Sequence, residues 1–200
     1  PTPLLIKKNI IRIFFSSRNK RNQSAVCFAD VDLKNNFKII KRSKKPSLYP
    51  GILGTFDDNG VTPSSIIKIK NKIYLYYIGW KPRCTTRYSL VAGLAISKDN
   101  GKKFIRNSQS PILFSNKNEP YSILTAPYVL KNKKKWHMWY VSCEKWLNPD
   151  YPIYNIKYAY SENGINWKQT GKVSIKLKKS ERAVARPCVF KIKNRFFMFY

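Results

Sequence analysis

Three acidic residues lie in loops that lead into apolar, aromatic-rich segments, and their type and spacing suit acid–base chemistry. Asp57 and Asp58 are adjacent in "GTFDDNGVTP", and Glu181 lies in "SERAVARP". Asp57 precedes Pro63 by six residues, and Glu181 precedes Pro187 by the same interval. Because a positioned carboxylate can donate or accept a proton during a reaction, these three are the candidate catalytic residues. The alternative for the adjacent pair is that one side chain caps the "DDNG" turn.

Other reactive side chains are few and scattered. The only histidine, His137, alternates with Trp136 and Met138 in a strand-like pattern, which favours a structural role. The cysteines have neither C-x-x-C spacing nor histidine neighbours; they are Cys27, Cys84, Cys143 and Cys188. An ordinary zinc site needs Cys and His ligands at short spacings. The sequence therefore predicts no metal, no cofactor and reduced, mostly structural cysteines.

The chain is strongly basic, with 39 basic residues against 10 acidic ones and a formal net charge of +29. Such a charge attracts polyanions, so a polyanion-binding module is one open interpretation. Lysine supplies most of the charge, whereas arginine is the better residue for bidentate contacts to bases. We therefore expect no specific nucleic-acid partner.

The composition also limits the compartment and the class of protein. At 43% hydrophobic and 14% aromatic residues, the chain can bury a core despite its charge. No run approaches the ~18 apolar residues that a membrane span requires. We expect no membrane insertion and a cytoplasmic location, while the oligomeric state stays open.

A repeat of about 60 residues organises the sequence. Prolines at positions 3, 63, 127 and 187 each open a short apolar segment, a Lys/Asn turn and an aromatic-rich segment. This pattern predicts a β-hairpin. A second hairpin follows the first three, and Asn100-Gly101 and Asn163-Gly164 mark two of its turns because Asn and Gly tolerate positive φ.

Two hairpins in each repeat predict four antiparallel strands, which is the content of a β-propeller blade. Residues 1–200 would then form one incomplete propeller domain with blade starts near residues 3, 63, 127 and 187. This amounts to about three and a half blades of a longer protein. The alternative is a β-sandwich whose segments are similar by accident.

Five motifs spread over nearly the whole chain occur together: "GTFDDNGVTPSSII…YLYYIGW", "SKDNGKKF", "TAPYVL…WHMWYVS", "KYAYSENGINW" and "VARPCVF". Together they resemble the five-bladed propellers of the arabinanase, levansucrase and invertase superfamily, and most closely its predicted glycosidases. The resemblance implies an all-β, five-bladed propeller of four-stranded antiparallel blades. It also implies that the innermost strands line a central pocket that binds a sugar.

The sequence departs from the superfamily at two places. Several members carry an acid just before the inner-strand proline, where this chain has Thr62 and Thr125. These threonines remain candidate substrate contacts, although threonine cannot donate a proton at neutral pH. Either Asp57, Asp58 and Glu181 replace the usual acids, or the protein binds glycans without cleaving them.

Further substrate contacts are expected around the predicted pocket. Arg186 directly precedes the last repeat proline, where it would bind a sugar hydroxyl, a substrate carboxylate or a catalytic acid, or else pair with Glu181. Arg18 resembles a pocket-facing arginine of related proteins. Trp80 and Tyr121 offer aromatic faces for sugar rings, or else they pack in the core.

The leading hypothesis is a glycoside hydrolase or transglycosidase that acts on a poly- or oligosaccharide by carboxylate acid–base chemistry. A non-catalytic glycan-binding propeller and a basic polyanion-binding module are the alternatives. The sugar, the linkage and the stereochemical outcome stay open.

Overall fold

The chain forms strands, turns and loops, and it contains no helix. A computed structural model describes all residues from 1 to 200. The strands of the first half are β1 (Thr2–Lys7), β2 (Ile10–Arg18), β3 (Ser24–Asp32), β4 (Lys38–Arg42), β5 (Val61–Ile69), β6 (Lys72–Pro82), β7 (Tyr88–Ser97) and β8 (Ile105–Arg106). Those of the second half are β9 (Ile123–Asn132), β10 (Lys135–Asn148), β11 (Tyr151–Ser161), β12 (Lys168–Ile175), β13 (Cys188–Ile192) and β14 (Arg195–Phe199). The predicted all-β class is confirmed.

Nothing in the structure is a helix long and apolar enough to cross a membrane.

The strands form four sequential units. Unit 1 is an antiparallel sheet in the order β1-β2-β3-β4. Unit 2 is antiparallel too, and its strands pair in the order β5-β6-β7-β8. Unit 3 contains β9 to β12, and unit 4 is the hairpin β13–β14. Units 2 and 3 belong to one eight-stranded sheet because β7 pairs in parallel with β9 at Leu90 and Val91. Each unit therefore begins with an antiparallel hairpin.

The first strands of the four units are neighbours in space. β1 contacts β5, β5 contacts β9, and β9 contacts β13. Three repeat prolines, Pro3, Pro63 and Pro127, lie within β1, β5 and β9, and Pro187 directly precedes β13. This arrangement brings the starts of four strands, each from a different repeat, around one common space.

Two hydrophobic cores hold adjacent units together. The core between units 1 and 2 includes Phe14, Leu75 and Tyr77, and the core between units 2 and 3 includes Tyr76 and Trp136. Successive side chains on a strand point to opposite faces, so the neighbours Tyr76 and Tyr77 on β6 serve different cores. The aromatic-rich second strand of a repeat is therefore explained by its two buried faces.

The two predicted Asn-Gly turns differ in conformation. Asn100 and Gly101 both have positive φ, 59° and 77°, as a tight primed turn requires. At the second site only Gly164 is positive, at 75°. Both turns are also capped by a side chain that accepts two backbone amides, Asp99 in the first and Asn163 in the second.

Candidate functional site

A pocket of about 320 Å³ lies where the four first strands converge. Its walls come from residues 1–3 of β1, residues 64–66 of β5, Tyr128 of β9 and residues 186–188 at the start of β13. Hydroxyl groups of Ser64, Ser65 and Tyr128 belong to this lining, and no aspartate or glutamate does. The pocket is therefore polar and carries no carboxylate.

The residues that directly precede the repeat prolines are Thr2, Thr62, Ala126 and Arg186. Of these four, Thr2 and Arg186 line the pocket. Thr2 donates a hydrogen bond to the Ser64 carbonyl at 3.1 Å, and Thr62 accepts one from the Trp80 indole at 3.0 Å. Ala126 and Arg186 have positive φ, 47° and 57°. Residues before proline normally avoid such backbone conformations, so this repeated strain marks a specific chain path at the start of β9 and β13.

Asp57 lies in a fully buried cluster beside unit 2 and does not line the central pocket. Its Oδ2 accepts hydrogen bonds from the Tyr77 hydroxyl at 2.9 Å and from Arg106 Nε at 2.8 Å. Its Oδ1 accepts one from the Thr55 hydroxyl at 3.1 Å. Asp57 is 0% exposed, and Arg106 also binds the Tyr49 carbonyl. The catalytic role of Asp57 stays a prediction, and its enclosed carboxylate argues against that role.

Glu119, which is not among the three candidate catalytic residues, occupies a matching cluster in unit 3. Its carboxylate accepts hydrogen bonds from the Tyr140 hydroxyl at 2.9 and 2.8 Å, from Ser142 at 2.7 Å and from the Gln169 amide at 3.0 Å. The Lys157 ammonium lies 3.7 Å away. Glu119 is 1% exposed.

A sequence signal for this pair of clusters existed. Tyr77 and Tyr140 follow their repeat prolines by 14 and 13 residues. Arg106 and Gln169 each stand two residues after the aromatic of the outer hairpin, Phe104 or Trp167. The position six residues before Pro127, which matches Asp57 by offset alone, is Tyr121, because the loops before the two prolines differ in length. The counterpart by contacts is Glu119.

Asp58 and Glu181 are partly exposed, but they too lie outside the central pocket. Asp58 Oδ2 accepts a hydrogen bond from the Gly54 amide at 2.9 Å and pairs with the Lys81 ammonium at 3.3 Å. Glu181 Oε2 accepts a hydrogen bond from the Lys178 amide at 2.8 Å. The structure does not bring Asp57, Asp58 and Glu181 together through any contact among them.

The remaining predicted substrate contacts have different surroundings. Trp80 and Tyr121 are half-buried in one apolar cluster that also contains Cys143. Arg18 is exposed and donates a hydrogen bond to the Asn22 side chain at 3.2 Å. Thr125 is buried, and its hydroxyl has no hydrogen-bond partner. Of this group, Thr125 alone has an unused polar atom inside the protein.

Glu144 is the exposed acid on the second strand of unit 3. It accepts a hydrogen bond from the Asn155 amide at 2.5 Å, and the Asn155 carbonyl oxygen is buried without a partner. The other acids lie in turns or ion pairs: Asp30 pairs with Arg12 at 2.6 Å, and Asp150 lies 3.8 Å from Arg87. Asp99 accepts backbone amides in the turn after β7.

Histidine and cysteine side chains do not form a reactive cluster. His137 lies 2.7 Å from the Tyr158 hydroxyl, and burial and nearby Lys135 lower its pKa. All four cysteines are free. Burial raises the pKa of the Cys143 thiol to about 11, which keeps this thiol protonated and poorly nucleophilic at neutral pH.

A second cavity, of about 440 Å³, lies on the surface at the turn between β7 and β8. Its lining includes Lys72, Lys98, Lys103 and Arg106, with Asp99 as its one acid. The lining of this groove is therefore mainly basic.

The four convergent first strands and the polar pocket between them define an all-β, propeller-type domain. Solved structures share this fold. A glycoside hydrolase superposes with a TM-score of 0.74 at 15% identity over 98% of this chain and 63% of that chain. The sucrose-6-phosphate hydrolase of Lactobacillus gasseri gives a TM-score of 0.70 at 11% identity over 95% of this chain and 37% of that chain.

The sequence profile of the glycosyl hydrolases family 32 N-terminal domain matches residues 42–197. The chain therefore belongs to this glycosidase family, as the resemblance in sequence had implied.

Two curated proteins of Mycobacterium tuberculosis are similar over most of the chain. Uncharacterized protein MT1551 of strain CDC 1551 is 36% identical over 191 residues, and uncharacterized protein Rv1502 of strain H37Rv is 35% identical over 191 residues. Each comparison covers 94% of this chain and 63% of the relative. The chain thus spans less than two thirds of the length of these relatives.

Proposed function

We propose that this chain is the larger part of a glycosidase propeller whose central pocket binds one unit of an oligo- or polysaccharide. The observation that carries the proposal is the polar pocket at the start of four first strands, in a chain of a glycoside hydrolase family. A pocket of about 320 Å³ is in the size range of small-molecule sites and offers hydroxyl groups for hydrogen bonds to a sugar.

The complete propeller would have five blades, of which residues 1–200 form about three and a half. Three units hold four strands each and the fourth holds a hairpin, which supports this count. The M. tuberculosis relatives are longer than this chain, and their additional length is available for further strands. A crystal structure of the full-length protein would test the blade count directly.

The catalytic carboxylates are proposed to be Asp58 and Glu181. Both are partly exposed, whereas Asp57 is enclosed by its own hydrogen bonds. Glycoside cleavage needs one carboxyl group as proton donor and a second as nucleophile or base. In the full-length protein, loop closure around the pocket would have to bring the two groups within reach of one glycosidic bond.

Turnover of the full-length protein tests this assignment. We expect Asp58→Asn and Glu181→Gln to lower kcat by ~100-fold or more while the midpoint of thermal unfolding stays close to the wild-type value. Release of reducing sugar from a panel of polysaccharides measures the rate. Asp57→Asn is the comparison, because its main expected effect is on stability. Wild-type turnover in both Asp58→Asn and Glu181→Gln would remove these carboxylates from the chemistry.

A non-catalytic glycan-binding propeller is the second candidate. It is favoured by the absence of a carboxylate among the pocket-lining residues and by the threonines at positions 62 and 125. This candidate predicts that the full-length protein retains oligosaccharides in a binding assay without releasing any reducing sugar.

The basic groove beside β7 and β8 favours polyanion binding as a third candidate. Purely electrostatic binding falls steeply with salt. Retention on heparin above ~0.5 M salt would therefore indicate a specific site, whereas elution at low salt would indicate charge attraction alone.

A further inference from the structure

Arg186 is the only charged side chain that lines the central pocket. It takes part in none of the ion pairs of the chain, whose basic members are Arg12, Lys81, Arg87, Arg106 and Lys157. The sequence had left open a salt bridge between Arg186 and Glu181, but Glu181 binds the Lys178 amide instead. Within residues 1–200, no carboxylate therefore pairs with the Arg186 guanidinium.

The positions equivalent to Arg186 in the other three units carry small residues. Thr2, Thr62 and Ala126 precede their prolines as Arg186 precedes Pro187. Of the four, only Thr2 and Arg186 line the pocket, so the one long side chain of the series that reaches its wall belongs to unit 4.

The backbone at Arg186 is held in an unfavourable conformation. Its φ of 57° precedes a proline, a combination that costs free energy for any residue except glycine. Glycine would avoid the strain, yet the chain has arginine there. Neighbouring chain segments lower the pKa of Arg186 by desolvation, but the residue as a whole is exposed. An anionic ligand can therefore reach its guanidinium.

We propose that Arg186 makes the central pocket selective for sugars that carry an anionic group, either the carboxylate of a uronic acid or the phosphate of a sugar phosphate. The inference rests on the proposed function, because it assumes that the pocket binds a sugar. A guanidinium donates two parallel hydrogen bonds to either anion, and Ser64 and Tyr128 line the same pocket, where the sugar ring would lie.

Cys188 provides a local reporter for occupancy of the pocket. Its exposed thiol lies in the pocket lining, next to Tyr128. Burial and this neighbouring thiol raise the pKa of Tyr128 to about 12. A sugar bound beside Arg186 would cover Cys188 and slow its alkylation by iodoacetamide. Cys84, which is exposed and lies outside the pocket lining, serves as the internal control.

The experiment measures the rate of alkylation at each cysteine by peptide mass spectrometry of the full-length protein. The probes are glucose, glucuronate and glucose 6-phosphate, the three galactose equivalents, and inorganic phosphate. We expect a uronate or a sugar phosphate to slow alkylation of Cys188 but not of Cys84, while the neutral sugars have no effect at the same concentration. Which acidic probe protects distinguishes the carboxylate from the phosphate.

Variants of Arg186 complete the test. Arg186→Gln is expected to weaken protection by an acidic sugar roughly 10- to 100-fold. Arg186→Lys keeps the charge without the planar fork and should have an intermediate effect. Lys176→Gln removes one exposed positive charge elsewhere and should leave protection unchanged.

Four results would overturn the inference. Equal protection by neutral and acidic sugars, or full protection in Arg186→Gln, would show that the charge does not select the ligand, and the sugar pocket would survive. Equal protection by inorganic phosphate would indicate an anion site without sugar recognition. Protection by no probe would also reject the inference, and the reducing-sugar assay would then decide separately on glycosidase activity.

Discussion

The clusters around Asp57 in unit 2 and around Glu119 in unit 3 occupy equivalent places but bind their carboxylates with different chemistry. In both, the acid comes from the loop before a first strand, and a tyrosine of the second strand donates to it. The outer strand contributes the third group, which is the Arg106 guanidinium in one cluster and the Gln169 amide in the other. Asp57 is therefore held mainly by a cation, and Glu119 mainly by neutral donors.

The two clusters share the buried carboxylate and its tyrosine donor, whereas the other side chains that donate hydrogen bonds to it differ between them. A carboxylate offers about four acceptor sites, so it can join a loop, a second strand and an outer strand at once. A cation also lies near Glu119, but the distance from Lys157 Nζ to Glu119 Oε1 is 3.7 Å, which is beyond hydrogen-bond distance. We infer that both clusters fix the loops that lead into the first strands, and so position the wall of the central pocket.

Removing the cation of unit 2 should give the largest effect. Arg106→Met leaves the Asp57 carboxylate buried without its charged partner, and loss of one member of a buried ion pair typically costs ~3–5 kcal/mol. Gln169→Met is the matched change in unit 3, and it should cost about 1–2 kcal/mol because Tyr140, Ser142 and Lys157 remain. Urea unfolding measures both free energies of unfolding.

Equal losses in Arg106→Met and Gln169→Met would contradict this comparison. They would mean that the cation contributes no more than a neutral donor, and that the unpaired Asp57 carboxylate becomes protonated or hydrated at little cost. An unchanged slope of unfolding free energy against urea is required for the comparison, because it indicates that both variants unfold from an equally compact state.

Removing the tyrosine hydroxyls should cost more stability in unit 3 than in unit 2, which is the reverse of the order expected for Arg106→Met and Gln169→Met. The Tyr140 hydroxyl is within 2.9 Å of both oxygens of Glu119, and Tyr140→Phe is expected to cost ~1.5–3 kcal/mol. Tyr77→Phe should cost only ~0.5–1.5 kcal/mol, because Arg106 still binds the same oxygen of Asp57. The same urea experiment measures both. A larger loss in Tyr77→Phe would show that the guanidinium does not compensate for the hydroxyl.

The sequence could predict the fold more completely than the contacts of its acids. The repeat of prolines and aromatic pairs indicated β-hairpins because period-2 burial and Asn-Gly turns are local properties of the chain. Asp57 and Glu119, in contrast, find partners 20 to 50 residues away, on second and outer strands. Only a three-dimensional arrangement reveals that these acids are enclosed, and no local pattern separates an enclosed acid from a catalytic one.

Glu181 illustrates the same limit in unit 4. It precedes its repeat proline by six residues, as Asp57 does, and Tyr200 follows that proline by 13 residues, as Tyr140 does in unit 3. Its carboxylate nevertheless accepts only a local backbone amide and stays partly exposed. Position in the repeat therefore fits both a structural and a catalytic role, and stability and turnover must be measured together on Glu181→Gln.

High pH should lower the free energy of unfolding through both clusters, by less than the substitutions described above. Burial raises the pKa of Tyr77 and of Tyr140 above the ordinary value of 10.0, and the negative charges of Asp57 and Glu119 raise them further. Above pH 10 the unfolded chain loses these protons while the folded chain keeps them, so unfolding releases protons and stability falls as pH rises. Below pH 10 both states are protonated, and this contribution to stability is complete.

The expected loss is about 1.4 kcal/mol per buried tyrosine between pH 9 and pH 11. Urea unfolding of the wild type, Tyr77→Phe and Tyr140→Phe at pH 9 and pH 11 isolates each contribution, and Tyr151→Phe at an exposed position controls for titration elsewhere. Each buried variant should lose less stability across this interval than the wild type does. Identical pH dependence in all four proteins would mean that neither hydroxyl is held in its protonated form by the carboxylate beside it, and the common plan of the two clusters would fail.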